Sequence, residues 1–164
     1  MASLWGLPIV FVVENNQYAM GTSVKRSSAE VEFYRRGTAF RIPGIAVNGM
    51  DVLEVRQAAE IAIPYVREGN GPVLLELKTY RYRGHSMSDP AKYRTREEVQ
   101  GVREKSDPIE HAKAELVAMG VAEDRLKDID KAIRARVADA ADFAETSPEP
   151  AESELYTDVL VESY

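Results

Sequence analysis

The sequence predicts an α/β fold: a parallel sheet flanked by helices, followed by a helical C-terminal region. Three observations carry this. Ile9-Val10-Phe11-Val12-Val13, Ile45-Ala46-Val47 and Val73-Leu74-Leu75-Glu76-Leu77 are short β-branched or apolar runs without alternation, as expected of strands covered on both faces. Helical patterns fall between them, and the order strand, helix, strand, helix, strand calls for crossovers and parallel pairing. From about Ala122 to Ala144, Leu126, Ile129, Ile133, Val137 and Ala140 or Ala141 recur at helical spacing with no strand to follow.

Met1 to Leu7 reads as the tail of a helix, with Gly6 near its end and Pro8 just beyond. No start signal opens that helix, so the chain is expected to begin inside a domain, with residues missing upstream. Ala29 to Arg36 is expected to form a short helix. Asp51 caps the next one, with Glu54 at the capping-box position, and Pro64 is expected to kink or end it. Thr95 with Glu98 marks a further start, and Asp107-Pro108 another. Leu155 to Val161 is expected to be a short amphipathic tail. The expected organisation is an α/β part over 1–80, a loop and short helix over 81–98, and a helical region with its tail over 99–164.

Net charge is −6 and the sequence pI about 5.1, which argues against a nucleic-acid binder, since that function needs a basic face. A small phosphate site is still compatible, because a few N–H groups and one cation suffice. With no cysteine, disulfides and thiolate metal sites are excluded. The longest apolar run, Leu7 to Val13, falls far short of the ~20 residues that span a bilayer. No nucleic-acid or membrane partner is expected.

In an open α/β sheet, ligands bind beyond the carboxyl ends of the strands. Two long polar loops leave such ends, Glu14 to Ser28 and Tyr80 to Tyr93, and both exceed the usual connection length. Asn15-Asn16-Gln17-Tyr18 offers neutral oxygens suited to Mg²⁺, although an Asn pair by itself is more often the signature of a turn. His85, between Gly84 and Ser86 and near Arg81 and Arg83, is a candidate for phosphate contact or proton transfer. The alternative is a solvated basic loop. His111, among Glu110, Lys113 and Glu115, reads as a surface residue.

The segments Glu14 to Ser23, Tyr80 to Pro90, Tyr93 to Glu98, Lys105 to Ile109 and Ser147 to Pro150 together resemble the alpha subunits of pyruvate dehydrogenases, over essentially the whole chain and in the same order. The resemblance implies part of a thiamine-diphosphate-binding fold and the chemistry of oxidative decarboxylation: pyruvate is the substrate, and the acetyl group passes to a lipoyl domain of an acyltransferase. It implies thiamine diphosphate and Mg²⁺ as cofactors and a beta subunit as partner, in an alpha2beta2 assembly. Asn16 would bind the metal through its side chain and Tyr18 through its carbonyl. His85 would be the catalytic loop histidine beside the diphosphate. Ser86 and Ser23 match two regulatory serines of mammalian members; Ala91-Lys92-Tyr93 departs from the third, which favours a bacterial or other non-phosphorylated member, in a cytoplasm over a mitochondrial matrix.

The family's motif opens with Gly-Asp-Gly and closes with Asn-Asn. Only the closing part is present here, so the chain is expected to be inactive alone. Two alternatives stand beside the main reading. One is a related 2-oxo acid or acetoin dehydrogenase alpha subunit. The other is a non-catalytic fragment that acts only in assembly.

Overall fold

The structure is a computed structural model and describes residues 1–157, so the stretch 158–161 of the expected tail lies outside the described residues. The chain forms two units, Met1–Leu116 and a second from Val117 onward.

In the first unit, β1 (Val10–Asn15), β4 (Gly44–Asn48) and β5 (Val73–Lys78) form a parallel sheet in the order β1-β5-β4. Val10 to Asn15 pair with Val73 to Lys78, and Gly44 to Asn48 with Leu74 to Lys78. Helix α2 (Val52–Arg67) connects β4 to β5. Asp51 caps it by accepting the Leu53 and Glu54 N–H groups at 2.8 and 3.2 Å. Ala58, Ala62 and Val66 recur every fourth residue on α2 and pack with Val47, Val73 and Leu75 to make the buried core. The helix passes through Pro64 and stops at Arg67, where the Pro64 carbonyl accepts the Glu68 N–H at its C-terminal end.

Three expectations change. Met1 to Leu7 is a single turn. It closes as a helix C-terminus does, with Leu7 N–H on the Ala2 carbonyl, Gly6 N–H on that of Ser3, and Gly6 at φ 62°. The helix expected over Ala29 to Arg36 is displaced. A four-residue α1 (Val24–Ser27) precedes it and a 3-10 helix follows at Phe33–Phe40. The Tyr34 N–H is drawn to Glu76 in β5 at 3.0 Å, which fixes where that helix starts. Finally, β1 is not covered on both faces by this chain. It pairs on one side only, and Phe11 and Val12 are 40% and 52% exposed.

A short antiparallel ribbon, β2 (Tyr18–Ala19) with β3 (Thr22–Ser23), follows β1. Helix α3 (Arg96–Ser106) is capped by Thr95, whose hydroxyl accepts the Glu98 N–H. Helix α4 (Pro108–Ala118) is capped by Asp107, which accepts from Ile109 and Glu110. The second unit is built on α5 (Glu123–Thr146), where Ile129, Ile133, Val137 and Phe143 are exposed. A 3-10 turn at Glu152–Tyr156 follows.

Gly44 lets β4 lie against the 3-10 helix: a Cβ there would collide with the Tyr34 carbonyl oxygen. Gly44→Ala is expected to destabilise the chain by about 1–3 kcal/mol or more, as overpacking does. Asp51→Ala, which removes only a cap, should cost about 1 kcal/mol. Urea unfolding of both variants checks the order.

Candidate functional site

Parallel pairing brings the carboxyl ends of β1 and β5 to one edge, with Asn15 opposite Lys78. The two polar loops therefore leave the sheet side by side. Asn15 is buried, and its Oδ1 accepts the Gln17 N–H at 3.1 Å while the Gln17 side chain donates back to the Asn15 carbonyl. Gln17 adopts φ 67°, the left-handed step of a tight turn. Asn16 instead reaches across, and its Oδ1 accepts the Thr79 hydroxyl at 3.0 Å. The Asn pair thus divides its work. Asn15 makes the turn, and Asn16 faces the neighbouring loop.

Asn16, Tyr18, Arg81, Arg83, His85 and Tyr93 line one cavity of about 180 Å³. A second, of about 340 Å³, shares Met20, His85 and Tyr93 with it and adds Ser86 and Asp89. A larger depression of about 590 Å³ beside α3 shares only Arg94 with the first and contains neither Asn16 nor His85. Asn16, Tyr18 and His85, singled out in the sequence, thus come together, and Ser86 lies next to them. Ser23 lines neither cavity; it pairs with Tyr18 across the β2–β3 ribbon.

The loop holding His85 is fixed by polar groups that each bind several partners. Arg94 is buried, donates Nη1 to the Arg81 carbonyl and Nη2 to the Tyr82 carbonyl, and stands over the rings of Tyr18, Tyr80 and Tyr93 at 5.3–5.6 Å. Asp89 accepts the His85 N–H at 2.7 Å, the Ala91 N–H at 2.8 Å and the Tyr93 hydroxyl at 2.9 Å. Gly84 allows this: a Cβ there would meet the Asp89 carboxylate at 2.9 Å. One oxygen of Glu98 accepts both the Tyr18 and the Tyr80 hydroxyls. The His85 carbonyl accepts from Arg81, and its imidazole makes no hydrogen bond among the described residues. Sequence reasoning missed Arg94, Asp89 and Glu98.

The electrostatics follow from these contacts. Burial pushes the Tyr80 phenol up to about 12, helped by its bond to Glu98. Tyr18 and Tyr93 are raised as well, first by burial and then by bonds to Glu98 and Asp89. All three phenols stay protonated near neutral pH, so they donate hydrogen bonds and do not exchange protons. The His85 and Ala91 N–H groups hold Asp89 below the usual carboxylate range.

This donor set fits an anionic phosphate accompanied by a hard cation. Arg81, Arg83 and Arg94 supply positive charge. Asn16 Oδ1 uses one lone pair on Thr79 and keeps a second. Among the described residues no group of three or more His, Cys, Asp or Glu is placed to hold a metal. A metal at Asn16 would therefore meet mainly neutral protein oxygens, phosphate and water, an environment Mg²⁺ accepts.

Arg94→Ala and Arg94→Lys should both loosen the loop, because a lysine cannot bond two carbonyls with one planar fork. Exchange of the His85 and Ala91 amides should quicken by roughly tenfold or more, as the loss of charge-assisted bonds implies. Asp89 gives a pH test with a defined sign. Its folded value lies below its unfolded one, so its hold on the loop is complete above the ordinary carboxylate range and is lost as pH falls through the lowered value. The Ala91 amide shift, followed by NMR from neutral to acid, should move below about pH 3.9. A transition of the Ala91 amide at neutral pH would contradict the assignment.

Comparison with known proteins agrees with the resemblance seen in the sequence. The family model described as dehydrogenase E1 component matches residues 1–153. The chain is 59% identical to the pyruvate dehydrogenase E1 component subunit alpha of Rhizobium meliloti (strain 1021), over 98% of the chain and 47% of that protein. Identity to the subunit of the same name from Zymomonas mobilis is 56%, over 100% of the chain and 46% of that protein. Identity to the somatic mitochondrial form of Homo sapiens is 54%, over 94% of the chain and 40% of that protein. The chain spans about half the length of the bacterial relatives it matches. It belongs to the dehydrogenase E1 component family and resembles pyruvate dehydrogenase alpha subunits over nearly its whole length.

Proposed function

We propose that this chain forms one wall of the cofactor site in a thiamine-diphosphate-dependent pyruvate dehydrogenase, and that a beta subunit and further alpha-subunit residues complete the site. The observation that carries this is the convergence of Asn16, Tyr18, Arg81, Arg83 and His85 on one small cavity at the carboxyl ends of β1 and β5. Asn16 offers its amide oxygen to Mg²⁺, and Tyr18 offers its carbonyl. Arg81 and Arg83 face the diphosphate, and His85 donates to it or moves a proton beside it. When bound, thiamine diphosphate supplies the electron sink for decarboxylation of the 2-oxo acid. A lipoyl domain of an acyltransferase would be the acceptor: its disulfide would be reduced as the two-carbon unit is oxidised and taken up as an acetyl thioester. A bacterial cytoplasm is the proposed setting.

Ser86 lies on the second cavity, with its hydroxyl 3.0 Å from that of Ser88. A phosphate on Ser86 would bring about −1.5 to −2 charges to a site arranged for an anion, and would oppose cofactor binding. Ser23, which pairs with Tyr18, is the second proposed regulatory position.

The test is a graft of this chain over the matching segment of the Rhizobium meliloti alpha subunit, assembled with that organism's beta subunit. The graft should oxidise pyruvate with an artificial acceptor, and His85→Ala within it should lower turnover by roughly 10²-fold. The ungrafted chain, given thiamine diphosphate and Mg²⁺, should show no turnover above a protein-free control. An assembled graft that binds the cofactor but prefers another 2-oxo acid or acetoin would move the assignment to that substrate. One that assembles and never binds the cofactor would leave only a role in assembly.

A further inference from the structure

Glu76 is wholly buried in β5, and a carboxylate in such a place is costly unless its oxygens are bonded. No cation pairs with it among the described residues. Its Oε1 accepts Asn15 Nδ2 at 2.7 Å, and its Oε2 accepts the Tyr34 N–H at 3.0 Å. Neither donor can change roles. The Tyr34 N–H is a peptide group. The Asn15 amide cannot be turned over, because its Oδ1 already accepts the Gln17 N–H at 3.1 Å. Residue 76 must therefore accept on both of its terminal atoms, which a carboxylate does and a carboxamide does not.

We infer that Glu76 is a positioning residue: through Asn15 it sets the turn that carries Asn16 and Tyr18, and through Tyr34 it ties that turn to the 3-10 helix. Tyr34 and Asn15 lie far apart in sequence, on either side of β3 and α1, and the Glu76 carboxylate is bonded to both. The turn at Gln17 has a strained left-handed residue, so it needs a fixed partner to hold it. The inference rests on the proposed metal role of Asn16 only for its consequence in binding; the hydrogen-bond relay stands apart from that role.

The relay predicts its own rescue. In Glu76→Gln the new NH₂ must face either the Tyr34 N–H or the Asn15 NH₂, donor against donor. In the double variant Asn15→Asp with Glu76→Gln, every bond can form again. The carboxamide oxygen now at position 76 accepts from Tyr34, and its NH₂ donates to the carboxylate now at position 15. That carboxylate still accepts from the Gln17 N–H. Amide exchange of the 164-residue chain, read by NMR, decides the matter. In Glu76→Gln the Gln17 amide should exchange at least about tenfold faster, while the β4–β5 ladder amides keep their rates. The double variant should restore Gln17 to within about threefold of the unmodified chain. Unchanged Gln17 exchange in Glu76→Gln, equal loss throughout the ladder, or failure of the double variant to restore protection would each overturn the inference. If Glu76→Gln does not fold, the double variant decides alone: protection at Gln17 supports the relay, and its absence defeats it.

The exchange data judge Glu76 without any metal, so failure of the relay and failure of the metal role of Asn16 stay distinct. The metal role is read from binding of Mn²⁺ with thiamine diphosphate by the assembled graft: weakened binding in Asn16→Ala supports it, and unchanged binding removes it.

Discussion

The site depends on β5 lying between β1 and β4, parallel to both. Parallel strands finish at one edge of a sheet, so whatever follows each strand starts from common ground. Asn15 and Lys78 are opposite each other, and the Thr79 N–H goes on to bond the Asn15 carbonyl at 2.9 Å. One more residue along each chain, the Thr79 hydroxyl meets Asn16. A shift in register of a single residue would turn Asn16 to the other side and put Glu76 on the wrong face. The apolar core beneath α2 holds that register, and the polar edge inherits it.

Above the edge, the stabilising contacts change character. The core is apolar and small, built from alanines and valines of α2 and β5 together with Leu75 and Val47. The loop carrying His85 has little apolar surface to bury, and its anchors are a guanidinium, two carboxylates and three phenols. Hydrogen bonds to ionised groups are shorter and stronger than neutral ones, and they fix direction as well as distance. The raised phenols fit this role, because a tyrosine that keeps its proton can serve as a donor throughout the neutral range. The result is a polar shell with positive charge on the cavity side.

The parts legible in the sequence were those whose causes are local. β4, β5 and the caps at Asp51, Thr95 and Asp107 stand within a residue or so of where composition and turn chemistry put them. The gathering of Asn16, Tyr18 and His85 was legible through strand ends and the family likeness. The 3-10 helix was misplaced because its start is set by a bond from Tyr34 to Glu76, 42 residues away. Arg94 could not be told from Arg96 by sequence, since both stand in one run of charges; only the three rings and two carbonyls around Arg94 distinguish it.

The sharing of anchors in the His85 loop has a further consequence. Asp89 serves two backbone groups and a phenol, and Arg94 serves two carbonyls and three rings. Tyr93 belongs to both sets. Releasing one partner leaves each anchor its others, but displacing Asp89 or Arg94 itself frees all of its partners together. The segment is therefore expected to open as a cooperative unit: fastened or undone as a whole, a buckle and not a spring.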